Sequence, residues 1–333
     1  MNKILTVSIA AYNVEKFLEK TLDSLIIKDI DSLEVLIIND GSKDSTLHIA
    51  RKYEKEYPNI FRVINKENGG YGSTINVGID NANGKYFKQL DGDDWYEKDN
   101  LKEILNILQN SDEDIIYTPY IEFYERDGSS NIINNKIEEH NKNVSLSENI
   151  QYANPYLPMH SLMFKTEILK KNNIRILENC FYTDVEYAVY PFIYSKSLKV
   201  IKLPLYVYRI GREGQSVSVE GRLKHYKDHL RVDEEMLDLV KEIKNIDENV
   251  CSYLYDYFAS IFSSCISNYL LLLKPSKDNF NLIKEYDNKI LIICEDIYKK
   301  MNKKSKTVRY IRNSGFFRYK ILYYLKVFKR KIK

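Results

Sequence analysis

Residues 33–46 read LEVLIINDGSKDST. From Leu33 to Asn39 the chain is a strand-sized apolar run rich in Val and Ile, and Asp40-Gly41-Ser42-Lys43-Asp44-Ser45-Thr46 then turns into a helical pattern from about Ser45. The same change of period recurs on both sides. Leu5 to Ala11 precedes a helix from about Val14, Phe61 to Ile64 precedes one from about Ser73, and Tyr86 to Leu90 follows. This βαβαβαβ order predicts a parallel, helix-covered sheet. Ligands of such sheets bind at the carboxyl ends of the strands. Four segments stand there: Tyr12-Asn13, Asp40-Gly41-Ser42, Asn68-Gly69-Gly70 and Asp91-Gly92-Asp93-Asp94, all polar or glycine-rich.

The chain has 333 residues and a net charge of +3, so a catalytic domain with a helical appendage is expected. The charge is unevenly spread. Lys303 to Lys333 holds twelve Lys or Arg and no acid, which leaves −9 on the first 302 residues. Cys180, Cys251, Cys265 and Cys294 lack C-x-x-C spacing and read as reduced thiols, which suits the cytoplasm. The N-terminus has no signal-peptide pattern. Asp127 to Ser147 is polar and reads as a loop or excursion; Leu162 to Phe164 and Val200 to Arg209 read as strands completing the sheet. From about Gly221 the pattern is helical. Tyr257 to Leu273 carries no charge, but Ser260, Ser263, Ser264, Ser267 and Asn268 recur at helical spacing, which marks a buried amphipathic helix and not a membrane span.

Leu90-Asp91-Gly92-Asp93-Asp94-Trp95 packs three acids into four positions, a cluster that repels itself unless a cation or a hydrogen-bonded ligand sits among them. In extended chain Asp91 and Asp93 face the same side. The alternative is a solvated turn, or a cap for a helix over Asp99 to Leu108. Rival phosphate motifs fail. Gly78 and Gly84 are separated by five residues and Tyr86 stands where a P-loop needs Ser or Thr, while Gly69-Gly70-Tyr71-Gly72 lacks the third spaced glycine of a dinucleotide site.

In their order, VSIAAYN (7–13), VLIINDGSKDST (35–46), NGGYGSTINVGI (68–79), LDGDDW (90–95), FYTDVEY (181–187) and LYVYR (205–209) closely resemble the family 2 glycosyltransferases. The resemblance runs from Leu5 to about Ser218. It implies an α/β GT-A catalytic domain over 1–218, followed by a helical domain (219–302) and a basic tail (303–333). It further implies an inverting, metal-assisted transfer from a nucleotide sugar, a UDP-sugar above all, to a glycan or lipid-linked acceptor in cell-surface polysaccharide synthesis. Ala10, Tyr12, Glu15 and Asp40 would hold base and ribose, with Lys66, Gly70 and Asn76 near the donor. Asp91 would contact the ribose and Asp93 would bind Mg2+ or Mn2+. Asp184 is the implied base, although the family's usual Glu-Asp pair is here Thr183-Asp184, and Glu186 competes. Arg209 and Arg212, in the closing segment 206–218, are candidate phosphate contacts.

His160 is read as a core or surface histidine near the acceptor side, and His225 and His229 as less favoured additional metal ligands. A non-catalytic scaffold subunit is the alternative function. A nucleic-acid binder is disfavoured by the acidic body. A processive synthase is disfavoured too, since neither a membrane span nor a Q-x-x-R-W sequence is found. In the tail, Phe317, Ile321, Tyr324, Leu325, Phe328 and Ile332 share one helical arc that excludes every Lys and Arg. This is the pattern of a helix lying on an anionic membrane, and it predicts a cytoplasmic protein peripheral to the inner face.

Overall fold

The computed structural model describes residues 3–331 apart from 28–30, 138–144, 155 and 213–217. The chain divides into two compact units, residues 1–213 and 214–333. In the first, strands β1 (Leu5–Ala11), β2 (Leu33–Asp40), β3 (Phe61–Lys66) and β4 (Tyr86–Asp91) carry the four expected apolar runs, and helices Leu18–Asp23, Thr46–Glu56 and Tyr71–Asn81 connect them. β5 is Trp95–Tyr96, β6 Ile115–Tyr117, β7 Tyr120–Tyr124, β8 Ser130–Ile133, β9 Leu162–Lys165, β10 Leu198–Val200 and β11 Tyr206–Ile210.

Seven strands form the main sheet in the order β10-β6-β9-β4-β1-β2-β3, parallel except for β9. β2 is buried along its whole length, as a strand covered on both faces must be. The register sets Ala10 beside Asp91 and Asp40 beside Lys66, so four strand ends open on one edge.

Two expectations change. The run Val200 to Arg209 is two strands: β10 belongs to the main sheet, while β11 joins β5, β7 and β8 in a second sheet of four. Pro204 between them has no N–H to give a ladder. Within the polar excursion Asp127 to Ser147, Ser130–Ile133 pairs with β7 as a hairpin. Residues 138–144 of that excursion lie outside the described residues.

At Gly72 the lack of a side chain permits a close approach. A Cβ on Gly72 would stand 2.0 Å from the carbonyl oxygen of Leu177, so the helix Tyr71–Asn81 packs against backbone there. Gly72→Ala is therefore expected to lower unfolding stability by at least about 3 kcal/mol, read by urea titration.

The second unit is helical. Its longer helices are Tyr226–Glu242, Glu248–Ser264 and Lys277–Ile293, and Tyr319–Lys331 closes the described chain. Tyr257 to Leu273 is buried as expected, with Ser260, Ser264, Ser267 and Asn268 on its less buried side, although its last turns loosen into π and 3-10 geometry at Cys265–Tyr269 and Leu270–Leu272. No helix among the described residues is long and apolar enough to cross a membrane.

Candidate active site

Two loops at the strand ends are laced together. Asn13, with φ 52°, donates its N–H to Ser42 Oγ at 3.1 Å and accepts the Lys43 N–H at 2.9 Å. The Val14 N–H reaches Thr46 Oγ1 at 2.8 Å, the Glu15 N–H reaches Asp44 Oδ2 at 3.1 Å, and Glu15 Oε2 accepts from Ser45 N–H at 2.8 Å. Glu15 thus serves the start of the helix Thr46–Glu56, where an acid also meets the helix dipole. Tyr12 remains 48% exposed on this frame.

Asp40 is 2% exposed and already well served. Its Oδ1 accepts from Lys66 Nζ at 2.6 Å and the Gly69 N–H at 2.9 Å, and its Oδ2 accepts from the Gly70 N–H at 2.9 Å. Gly70 lies at φ 81°, where a side chain would be strained, and so turns its N–H toward the carboxylate. Asp40, Lys66 and Gly70 therefore form one knot. Asn76 bonds to the segment 176–178. Buried, it accepts the Ile176 N–H at 2.9 Å and donates to the Ile176 carbonyl and to Glu178 Oε1, so it latches residues 176–178.

The three acids after β4 have separate environments. Asp94, 1% exposed, accepts the Tyr206 O–H at 2.6 Å and the Arg209 N–H at 2.8 Å, which ties the turn to β11. Burial first, then the charges of Asp93 and Asp91, push its carboxyl well above the usual range. The Asp93 side chain is paired with the Arg212 guanidinium. Asp91 accepts the Tyr71 O–H at 2.7 Å. Burial, then the Asp93 charge, push Asp91 up to about 7; the Tyr71 hydrogen bond opposes this and the Asp184 charge adds to it.

Arg209 is held by protein contacts on several sides. It is 7% exposed, pairs with Glu125, donates its Nε–H to the Asp93 carbonyl at 2.8 Å and lies 4.9 Å from the rings of both Phe17 and Trp95. It braces the acidic turn, and Arg212 is the more accessible of the pair. Residues 213–217 of the expected closing segment lie outside the described residues.

His160 joins the site from the turn before β9. Its ring stacks on Tyr208 with centroids 4.5 Å apart and its Nδ1 is buried without a hydrogen-bond partner. Burial and the Lys88 charge push it down to about 3, so it is neutral. Lys88, fully buried and itself pushed down to about 7 by burial, fixes that turn by donating to the carbonyls of His160 at 2.8 Å and Leu162 at 3.1 Å. Ligand atoms of Asp91, Asp94 and His160 all lie within 4.8 Å of one another. Two features fit a hard divalent cation here: mutually repelling carboxylates and an orphaned buried imidazole nitrogen. The converging set differs from the single Asp93 expected, since Asp93 is engaged by Arg212.

Asp184 and Glu186 differ in burial. Glu186 is 0% exposed, and its Oε2 accepts the Leu177 N–H at 2.8 Å. Asp184 opens the helix Asp184–Val189, is only partly buried, and its charge reaches Asp91, Tyr71 and Tyr208. His225 and His229 bond within their own helical segment, to Asp228 and Asp233 at 3.1 Å each. Tyr71, Tyr206, Lys88 and Glu125 are site residues that the motifs alone do not single out.

A pH effect follows from Asp91. Its folded value near 7 exceeds the unfolded 3.8, so between those limits the native state binds more protons and stability falls as pH rises. A cation requires the ionised form. Mn2+ is therefore expected to raise the melting temperature by a few degrees more at pH 8 than at pH 6, measured by thermal unfolding with and without the ion.

Residues 6–172, half of the chain, match the profile described as Glycosyl transferase family 2. EpsH of Bacillus subtilis is 29% identical over 61% of this chain and 59% of its own length. GgaB of the same organism, described as a minor teichoic acid biosynthesis protein, is 27% identical over 69% of this chain and 26% of its own. The chain thus spans less than two thirds of either relative. Among solved structures, S. aureus TarS 1–349 in complex with UDP-GlcNAc superposes with a TM-score of 0.70 at 20% identity, covering 98% of this chain and 92% of that one. With the parallel sheet and the acidic turn after β4 in place, the chain belongs to glycosyl transferase family 2 and has the GT-A fold.

Proposed function

We propose that this enzyme transfers a sugar from a nucleotide sugar, a UDP-sugar, to a hydroxyl of a glycan or lipid-linked acceptor, with inversion at the anomeric carbon. The observation that supports the reading is the acidic turn after β4, where ligand atoms of Asp91, Asp94 and His160 lie within 4.8 Å of one another, together with the partly buried Asp184 at the start of its helix. One carboxylate then faces the acceptor while the strand-end acids face the donor. UDP-GlcNAc on TarS supports the donor class, and the name of GgaB supports cell-surface glycan synthesis.

The exposed Tyr12 ring offers a stacking face for uracil beside Ala10, and Asp40, Lys66 and Gly70 shape the wall next to it. Arg212, paired with Asp93, is the proposed contact for the diphosphate. The Asp184 carboxylate takes the acceptor proton as the acceptor oxygen bonds the anomeric carbon. The bond from that carbon to the diphosphate oxygen breaks, and its electron pair leaves with the nucleoside diphosphate. Mg2+ or Mn2+, held by Asp93 in exchange for Arg212, with the converging Asp91, Asp94 and His160 as the alternative ligand set, would neutralise charge growing on that leaving group. A lipid-linked acceptor would be met by a cytoplasmic enzyme peripheral to the inner membrane face.

The test is hydrolysis of UDP-, GDP- and dTDP-sugars with Mn2+ or Mg2+. Metal-dependent release of one nucleoside diphosphate supports the reading and names the donor. No release from any donor, with no metal-dependent UDP binding, sinks it in favour of a scaffold.

A further inference from the structure

The helix Tyr319–Lys331 has two unlike faces. On one, Tyr319 is 1% exposed and donates its O–H to the Leu273 carbonyl at 2.6 Å, and Lys326 donates to the Ser267 carbonyl. At about 100° per residue, Ile321, Tyr324, Leu325 and Phe328 fall within an arc of about 100° on the opposite side. They are 53%, 63%, 52% and 63% exposed, and Phe317 just before the helix is 82% exposed. Ile332, which the sequence places on the same arc, lies outside the described residues.

Five large apolar side chains held in water on a folded helix call for a partner. Their neighbours state its charge. Arg318 and Lys320 are exposed beside the apolar arc, and the chain from Lys303 onward has twelve basic residues and no acid. A groove of about 430 Å³ beside Phe317 is lined by Phe280, Ser276, Lys277 and Lys320, so a basic, hydroxyl-bearing rim surrounds an aromatic floor. Apolar anchors flanked by cations match the boundary between acyl chains and anionic headgroups.

We infer that Phe317, Ile321, Tyr324, Leu325 and Phe328 form a membrane-docking face that enters the headgroup layer of a bilayer containing acidic phospholipid, with the helix lying in the plane of the surface. The inference rests on the proposed transfer only for the lipid-linked acceptor that such docking would bring within reach. Lipid binding itself is a separate property of the second unit.

The experiment is sedimentation of the full chain with vesicles of phosphatidylcholine alone and with about one third phosphatidylglycerol. It is run at low and high salt for the wild type, Leu325→Ser/Phe328→Ser and Arg318→Gln/Lys320→Gln. Expected are strong binding to the acidic vesicles alone, a fall of at least about tenfold for the apolar variant, and about fivefold per removed cation. The substituted positions are exposed, so circular dichroism and donor hydrolysis should match the wild type. Equal binding to both vesicle types, unchanged binding by the apolar variant, or vesicle-independent pelleting through self-association would each overturn the inference. Hydrolysis by a protein that ignores vesicles would remove the docking face alone; lipid binding without hydrolysis would remove the transfer and leave the face.

Discussion

Asp184→Asn is expected to lower sugar transfer to an acceptor by about a thousandfold while leaving nucleotide-sugar affinity within about twofold. The amide keeps the size of the side chain and the start of the helix Asp184–Val189, but it cannot take a proton. Donor hydrolysis should suffer less, because water needs little help from a base. The comparison is between initial rates of glycosyl transfer and of nucleoside diphosphate release by the same preparation. Equal losses in both would mean that Asp184 serves the donor and not the acceptor. Glu186→Gln gives the contrasting result. With its carboxylate buried against the Leu177 N–H, it should lower stability by about 1–3 kcal/mol and reduce rates only through misplacement of the loop.

Asp93→Ala is expected to lower metal-dependent donor hydrolysis by at least about a hundredfold and to abolish most of the Mn2+-induced rise in melting temperature. The substitution removes the Asp93 partner of Arg212, so binding of UDP without metal should hold or improve. That opposition separates a metal ligand from a residue that only shapes the turn. If Asp93→Ala keeps its metal response and Asp91→Asn or His160→Ala loses it, the converging cluster of Asp91, Asp94 and His160 is the cation site instead.

The first four strands are legible because each is a strand-length apolar run cut off by a polar, glycine-bearing turn, and that signal is local. The second sheet is not. β5 has two residues, β7 alternates no apolar face and is half-buried throughout, and β10 with β11 reads as one run until Pro204 is seen to divide two sheets. The acids were legible as a group because clustered like charge demands an explanation. Their individual environments were not. The partners of Asp94 are Tyr206 and Arg209, more than a hundred residues on, and no local pattern reveals that they tie it to β11. For the same reason the contacts of Asn76 with residues 176–178 and of Arg209 with Glu125 and the Asp93 carbonyl are not readable from the motifs. Asp184 was separable from Glu186 only by burial, a tertiary property.

The latch built on Asn76 and Gly72 reaches beyond packing. Asp40 holds the backbone of Gly69 and Gly70, the Gly69 carbonyl accepts the Asn179 N–H at 2.6 Å, Asn76 grips Ile176, and Glu186 grips Leu177 two residues after Asp184 in the same helix. The proposed wall of the nucleotide pocket and the helix that carries the proposed base are therefore one mechanical part made of two sequence segments a hundred residues apart. Recombination among relatives must respect this. A chimera that exchanges residues 66–76 without 176–186, or the reverse, should fold poorly or transfer slowly even when both parents are active, whereas exchanging the two together should carry a donor preference intact.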